Sequence, residues 1–161
     1  MPVLLEEVLA HLRPTPGMVF IDGTLGGGGH ARAIAERIGP TGAVIAFDHD
    51  PDAIERAETS LAGLPIRVAH AGYDQMRATL TELGIDRVDG VLLDLGLSSD
   101  QLADGDRGFS FSAVGQLDLR FDPTSGRPAS EFVNYWGEQQ LADAIYQFGD
   151  CLLYTSDAAD E

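Results

Sequence analysis

The 161-residue sequence contains no lysine; all ten of its basic residues are arginine. A Walker-A phosphate loop needs a lysine after its glycines, and pyridoxal-phosphate or Schiff-base chemistry needs a lysine amine, so both are excluded for this chain. Cysteine is nearly absent. The single Cys151 rules out an intrachain disulfide framework and a multi-cysteine zinc site, and it fits a reducing compartment. Positive charge is scarce as well: 26 acidic residues stand against 10 basic ones, for a net charge of -16. That balance argues against a free-standing nucleic-acid binder, which normally displays a basic face. No apolar run approaches the roughly 20 residues of a membrane span. The N-terminus lacks the basic stretch and apolar core of a secretory signal. What is present is a hydrophobic share of 44% in a chain of ordinary domain length, enough to bury a core.

The hydrophobic residues are patterned. Leu4, Leu5, Val8, Leu9 and Leu12 share one helical face, and Pro14, Pro16 and Gly17 end that helix. Short apolar runs then alternate with helical periods. The pattern predicts strands at 18–21, 43–47, 65–69 and 88–93, and helices at 30–38, 51–61 and 73–83. Strands that are apolar throughout, alternating with helices, indicate a parallel sheet covered on both faces. This is the doubly wound α/β class, whose ligands sit at the carboxyl ends of the strands. Asp22, Asp48, His70 and Asp94 fall at those ends. After Asp94 the alternation stops. A long segment rich in Gly, Ser and Asp follows, and its Phe109, Phe111 and Phe121 favour an ordered, function-bearing loop. Helices resume over 130–136 and 138–148. There is no internal repeat.

Four motifs carry chemistry. The first is Asp22-Gly23-Thr24-Leu25-Gly26-Gly27-Gly28-Gly29-His30, between a strand and a helix. Its glycines permit close backbone approach to a ligand, and the helix start adds free N–H groups. The second is Asp48, 22 residues after Gly26, suited to a ribose diol because a carboxylate accepts both hydroxyl protons. Asp50 competes for that role, but Asp48 directly ends the apolar run. In the third motif Tyr73, after strand three, offers an aromatic face for adenine. In the fourth Asp94 could face a sulfonium, an amino group or a substrate amine. Together they favour a nucleoside-containing cofactor, either S-adenosylmethionine (SAM) or a nicotinamide dinucleotide. The Tyr–Lys pair of short-chain dehydrogenases is impossible without lysine, which tilts the choice toward methyl transfer. An NAD(P)-dependent oxidoreductase and a non-catalytic nucleotide-binding module stay open as alternatives.

Residues 2–150 resemble the bacterial 16S rRNA (cytosine-N4) methyltransferases of the RsmH/MraW type. The resemblance rests on PVLLEEVL, FIDGTLGGGGHA, FDHDPDAI, VDGVLLDLGLSSDQL, RGFSF and LDLRFDPTSG, in that order. It implies a Rossmann-like, class I SAM-dependent fold and N4-methylation of a cytidine in 16S rRNA of the small ribosomal subunit, in the cytoplasm and without a metal. By position it implies that Gly28, Gly29, His30, Asp48, Tyr73, Asp94 and Gln101 contact SAM, with Asp94 also the candidate catalytic residue. Tyr73 stands where the family often has Phe. No roles are implied for 107–111 and 117–122.

The chain also departs from the family. Members usually carry a His just before PVLLEEVL. They run to about twice this length, with a helical substrate-recognition insertion and a return to the sheet through an SFHSLEDR-like segment. The resemblance thus divides the chain into the first part of a SAM-binding domain over 1–128 and the start of the insertion over 129–150. It implies an incomplete sheet, and a fragment inactive by itself. The last eleven residues, CLLYTSDAADE, read as the in-frame translation of a sequencing-library adapter; without them the charge is -13.

Overall fold

The computed structural model describes residues 2–112 and 114–149. The adapter-like segment 151–161, with Cys151, and the end of the expected insertion at Asp150 lie outside the described residues. The chain forms two compact units, Met1–Asp100 and Gln101–Glu161.

The first unit is a four-stranded parallel sheet with helices. Helix α1 (Leu5–Leu12) leads into β1 (Val19–Asp22), α2 (Gly29–Ile38), β2 (Ala43–Asp48), α3 (Pro51–Ser60), β3 (Ile66–His70), α4 (Met76–Glu82) and β4 (Gly90–Leu92). The strand order is β3-β2-β1-β4. The chain therefore winds outward from β1 through β2 to β3, then returns to the other side of β1. The place where the winding reverses, between β1 and β4, is the switch point at which such sheets open a crevice beyond their carboxyl ends.

Alternation within the central strands builds a core on each face. Phe20, Val44 and Ala46 point to one side and pack with Leu9 of α1, Ala31, Ile34, Ala35 and Ile38 of α2, and Ala57 of α3. Ile21, Ile45 and Phe47 point to the other side, where Met76, Leu80 and Leu83 cover them. α3 starts sharply because Asp50 caps it: its Oδ1 accepts the amide of Asp52 at 3.0 Å, and Pro51 occupies the first turn.

The expected α/β alternation is present, with local corrections. Coverage on both faces holds for β1 and β2; the edge strands β3 and β4 are only half-buried. The fourth strand is shorter than the apolar run 88–93. Asp89 pairs outside the strand instead, its carboxylate accepting the Val19 amide at 2.8 Å. The helix expected at 73–83 opens with a 3-10 turn, Tyr73–Gln75, in which the Gln75 amide donates to the Gly72 carbonyl three residues back, and continues as α4.

The second unit contains helix α5 (Ser99–Ala103, which begins in the first unit), a 3-10 turn Gly105–Arg107, α6 (Ala129–Tyr135) and α7 (Glu138–Phe148). The short helix α5 lies in the stretch that shows no period in sequence; five residues are too few to display one. No helix among the described residues is long and apolar enough to cross a membrane.

Candidate functional site

The turn after β1 is built from conformations that favour glycine. Gly26 and Gly28 have φ of +48° and +73°, in the left-handed region that side-chain-bearing residues seldom adopt. Gly28 is the N-cap of α2. Gly27 faces open space, so the backbone there is accessible to a ligand. Gly23 is required for a different reason: a Cβ would lie 2.5 Å from Leu93 Cδ2 and 2.9 Å from Tyr73 Cβ. At Gly29, the first residue of α2, a Cβ would overlap the Pro2 ring.

Hydrogen bonds tie this turn to the neighbouring strand ends on both sides. Asp48 accepts the Gly26 amide on Oδ2 at 2.7 Å and the Asp50 amide on Oδ1 at 2.9 Å. Each oxygen keeps a lone pair for a further donor. Across the switch point, the Asp94 amide donates to Thr24 Oγ1 at 2.7 Å, and the Gly23 amide donates to the Leu92 carbonyl at 2.9 Å. The Asp94 carboxylate is half exposed and lies 3.8 Å from His30 Nδ1. His30 is buried, with Nε2 at 2.9 Å from the Val3 carbonyl oxygen. A carbonyl only accepts, so Nε2 carries the proton and Nδ1 faces Asp94.

Asp22, the last residue of β1, is 1% exposed. Its Oδ1 accepts the Thr24 amide at 3.1 Å, while Oδ2 is buried with no hydrogen-bond partner. Burial pushes this carboxyl from 3.8 up to about 6. The Thr24 amide and His30 oppose the rise; Asp48 and Asp94 add to it.

The structure thus gathers Gly28, Gly29, His30, Asp48 and Asp94 around the carboxyl edge of β1, β2 and β4. Tyr73 is 41% exposed at the end of β3, with its Cβ against Gly23. Gln101 is buried in α5 and opens the second unit. Asp50, the competitor of Asp48, is buried as the α3 cap, which explains its presence without a ligand. Sequence reasoning noted Asp22 only as a strand end and gave Thr24 no role. A charged residue closing an otherwise apolar, doubly covered strand was the available signal for Asp22. A cavity of about 540 Å³ lies beside Gly26 and Gly27, lined by Arg56, Thr59, Ser60 and Asp100. It shares only the two glycines with the turn, and none of Asp22, His30, Asp48, Tyr73 or Asp94. Among the described residues, no group of three His, Cys, Asp or Glu side chains is placed to hold a metal ion.

In the second unit the RGFSF and LDLRFDPTSG segments fold onto each other. Arg107 is buried, and its Nη2 donates to the carbonyls of Arg120 at 3.0 Å and Phe121 at 2.7 Å. The Leu119 amide returns to the Arg107 carbonyl at 3.0 Å, and the Phe109 and Phe121 rings meet at a tilt of 42° with centroids 5.5 Å apart. Asp118 receives Arg120 Nε at 2.9 Å and Nη2 at 2.7 Å; the hydrogen-bonded guanidinium holds its carboxyl below the usual range.

A family model, the MraW methylase family, matches residues 1–159. The chain belongs to the MraW methylase family. A ribosomal RNA small subunit methyltransferase H from Thermomicrobium roseum is 48% identical over 151 residues, 92% of this chain and 46% of that protein. The protein of the same name from Burkholderia mallei is 46% identical over 148 residues, 92% of this chain and 47% of that one. The chain spans about half the length of the curated relatives it matches. Among solved structures, a Clostridium thermocellum protein provisionally described as an rRNA-methylase superposes with a TM-score of 0.52 at 23% identity. The match covers 61% of this chain and 54% of that one, a likeness of fold.

Proposed function

We propose that this chain carries the cofactor-binding part of a SAM-dependent methyltransferase that modifies N4 of a cytidine in 16S rRNA of the small ribosomal subunit, in the cytoplasm. The carrying observation is the glycine turn after β1, hydrogen-bonded on one side to Asp48 at the end of β2 and on the other, across the switch point, to the segment that ends β4. The fit to the cofactor is chemical. Open backbone at Gly27 and left-handed glycines at 26 and 28 admit a close ligand. The spare lone pairs of Asp48 suit a ribose diol, the exposed Tyr73 ring suits adenine, and the half-exposed Asp94 carboxylate suits a cationic ligand. Gly28, Gly29, His30 and Gln101 complete the contacts that the family resemblance implies.

When bound, SAM supplies an activated methyl group on a sulfonium. The chain's own residues then have one task at the amine. A cytidine N4 is a poor nucleophile because its lone pair is conjugated with the ring. Rate must come from holding that nitrogen in line with the methyl–sulfur bond and from accepting a hydrogen bond as positive charge grows on it. Asp94, half exposed beside the switch point, is the acceptor in this reading. The base must leave its stack to reach such a pocket, which suits RNA in a folded subunit.

Calorimetry of this chain with SAM and with NAD tests the cofactor. SAM should bind and NAD should not; the reverse refutes the reading. Asp48→Ala should weaken SAM. For the protein of the complete reading frame, Asp94→Asn should slow methylation of small subunits. Unchanged turnover with unchanged SAM affinity removes Asp94 from the chemistry.

A further inference from the structure

The buried carboxyl of Asp22 is used by neither the fold nor the mechanism above. Its Oδ1 accepts the Thr24 amide, a bond an amide oxygen would accept equally well. Its Oδ2 is buried without a partner, at the end of a strand whose other residues are apolar. The charged and titratable groups that act on it come from each neighbouring element: His30 from α2, Asp48 from β2 and Asp94 from the segment after β4. Two of those three are carboxylates. An orphaned acid held among other acids costs folding energy, and a fold that keeps it gains nothing in packing. Among the described residues only the Thr24 amide and His30 favour its charged form, and a positive charge carried by a ligand would add to them.

We propose that Asp22 is the residue by which this site distinguishes a cationic sulfonium cofactor from its neutral thioether product. The proposal rests on the SAM reading above. Asp48 and Asp94 are partly exposed, so water screens their fields. Asp22 lies in the low-dielectric interior, where a charge acts at longer range. S-adenosylmethionine and S-adenosylhomocysteine share adenosine, carboxylate and ammonium groups, and differ by the methyl and the positive charge on sulfur. A buried anion beside the crevice favours the first and lets the second leave. Near pH 6 the free chain holds Asp22 partly protonated. Binding a sulfonium stabilises the carboxylate, so the proton passes to the buffer, whereas binding the thioether shifts it less.

The experiment is calorimetry on the 161-residue chain with both ligands, for the unmodified protein and for Asp22→Asn. At pH 7.5 the substitution should weaken SAM on the order of tenfold and leave S-adenosylhomocysteine within about twofold. Equal losses for both ligands overturn the proposal and leave the SAM reading intact. Failure of the unmodified chain to bind either ligand overturns both. A second measurement does not depend on the variant folding. The carboxyl-carbon NMR signal of Asp22 should titrate near pH 6 in the free chain and move to lower pH with SAM more than with S-adenosylhomocysteine. An equal displacement by the two overturns the proposal.

Discussion

The two units of this chain are ordered by different means. In the first hundred residues the fully buried side chains are apolar almost throughout: Phe20, Ile21, Ile34, Ile38, Val44, Ile45 and Phe47, with Asp22 and Asp50 as the charged exceptions. Among the described residues from 101 onward, the buried side chains are Gln101 and Arg107, both polar. Large apolar residues there are exposed instead, including Phe111, Val114, Tyr135 and Phe148. The first unit is held by area removed from water, at about 25 cal/mol per Å². The second is held by directional bonds from side chains to backbone, each worth about 1 kcal/mol net. A hydrophobic core tolerates few changes of volume, while a hydrogen-bonded loop stands or falls with single donors.

Four substitutions sharpen that contrast. Phe20→Ala has the largest expected effect. The ring is fully buried between α1, α2 and β2, and its loss should cost about 3–5 kcal/mol in urea denaturation. Asp22→Asn should act in the opposite direction, because the first unit carries this charge at its own expense. The folded carboxyl has its pKa raised from 3.8 to about 6, so the folded state keeps its proton when the unfolded state has lost it. Stability therefore falls as pH rises across that window, and the full penalty applies above pH 6. The variant should gain up to about 3 kcal/mol at neutral pH and nothing below pH 4, as read from denaturation at a series of pH values.

Arg107→Met should cost about 1–3 kcal/mol of local order in the second unit. It removes the donor shared by the Arg120 and Phe121 carbonyls. Hydrogen exchange should accelerate at the Leu119 amide and stay unchanged in β1 and β2. Acceleration throughout both units would show that the loop and the sheet unfold together. Phe111→Ser should have the smallest effect, within about 0.5 kcal/mol, because the ring makes its contacts with water. A larger loss would show that the second unit draws on apolar packing after all.

Legibility in the sequence followed the same division. The elements of the first unit are readable because a buried strand and an amphipathic helix each impose a period, and Gly39, Pro40 and Pro51 punctuate them. The edge strands were the least readable. Val88 and Leu93 look as apolar as the residues of β1, yet whether a strand is covered depends on what lies beside it in the sheet. In the second unit α5 was too short to show a period, and the bonds of Arg107 span 13 and 14 positions that no local pattern links.

For the site, the glycine turn, Asp48 and Asp94 were visible from type and spacing, since a strand end followed by glycines constrains the chain locally. The sequence by itself therefore determined the parallel α/β class, which polar residues close its strands, and the family. Only the tertiary structure decided that Asp50 caps a helix while Asp48 faces the turn, and that His30 and Asp94 meet across 64 positions. It alone decided that one oxygen of Asp22 is left unpaired. Hydrogen-bond satisfaction and desolvation are properties of surroundings, and those surroundings come from four different elements that meet only once the sheet has formed.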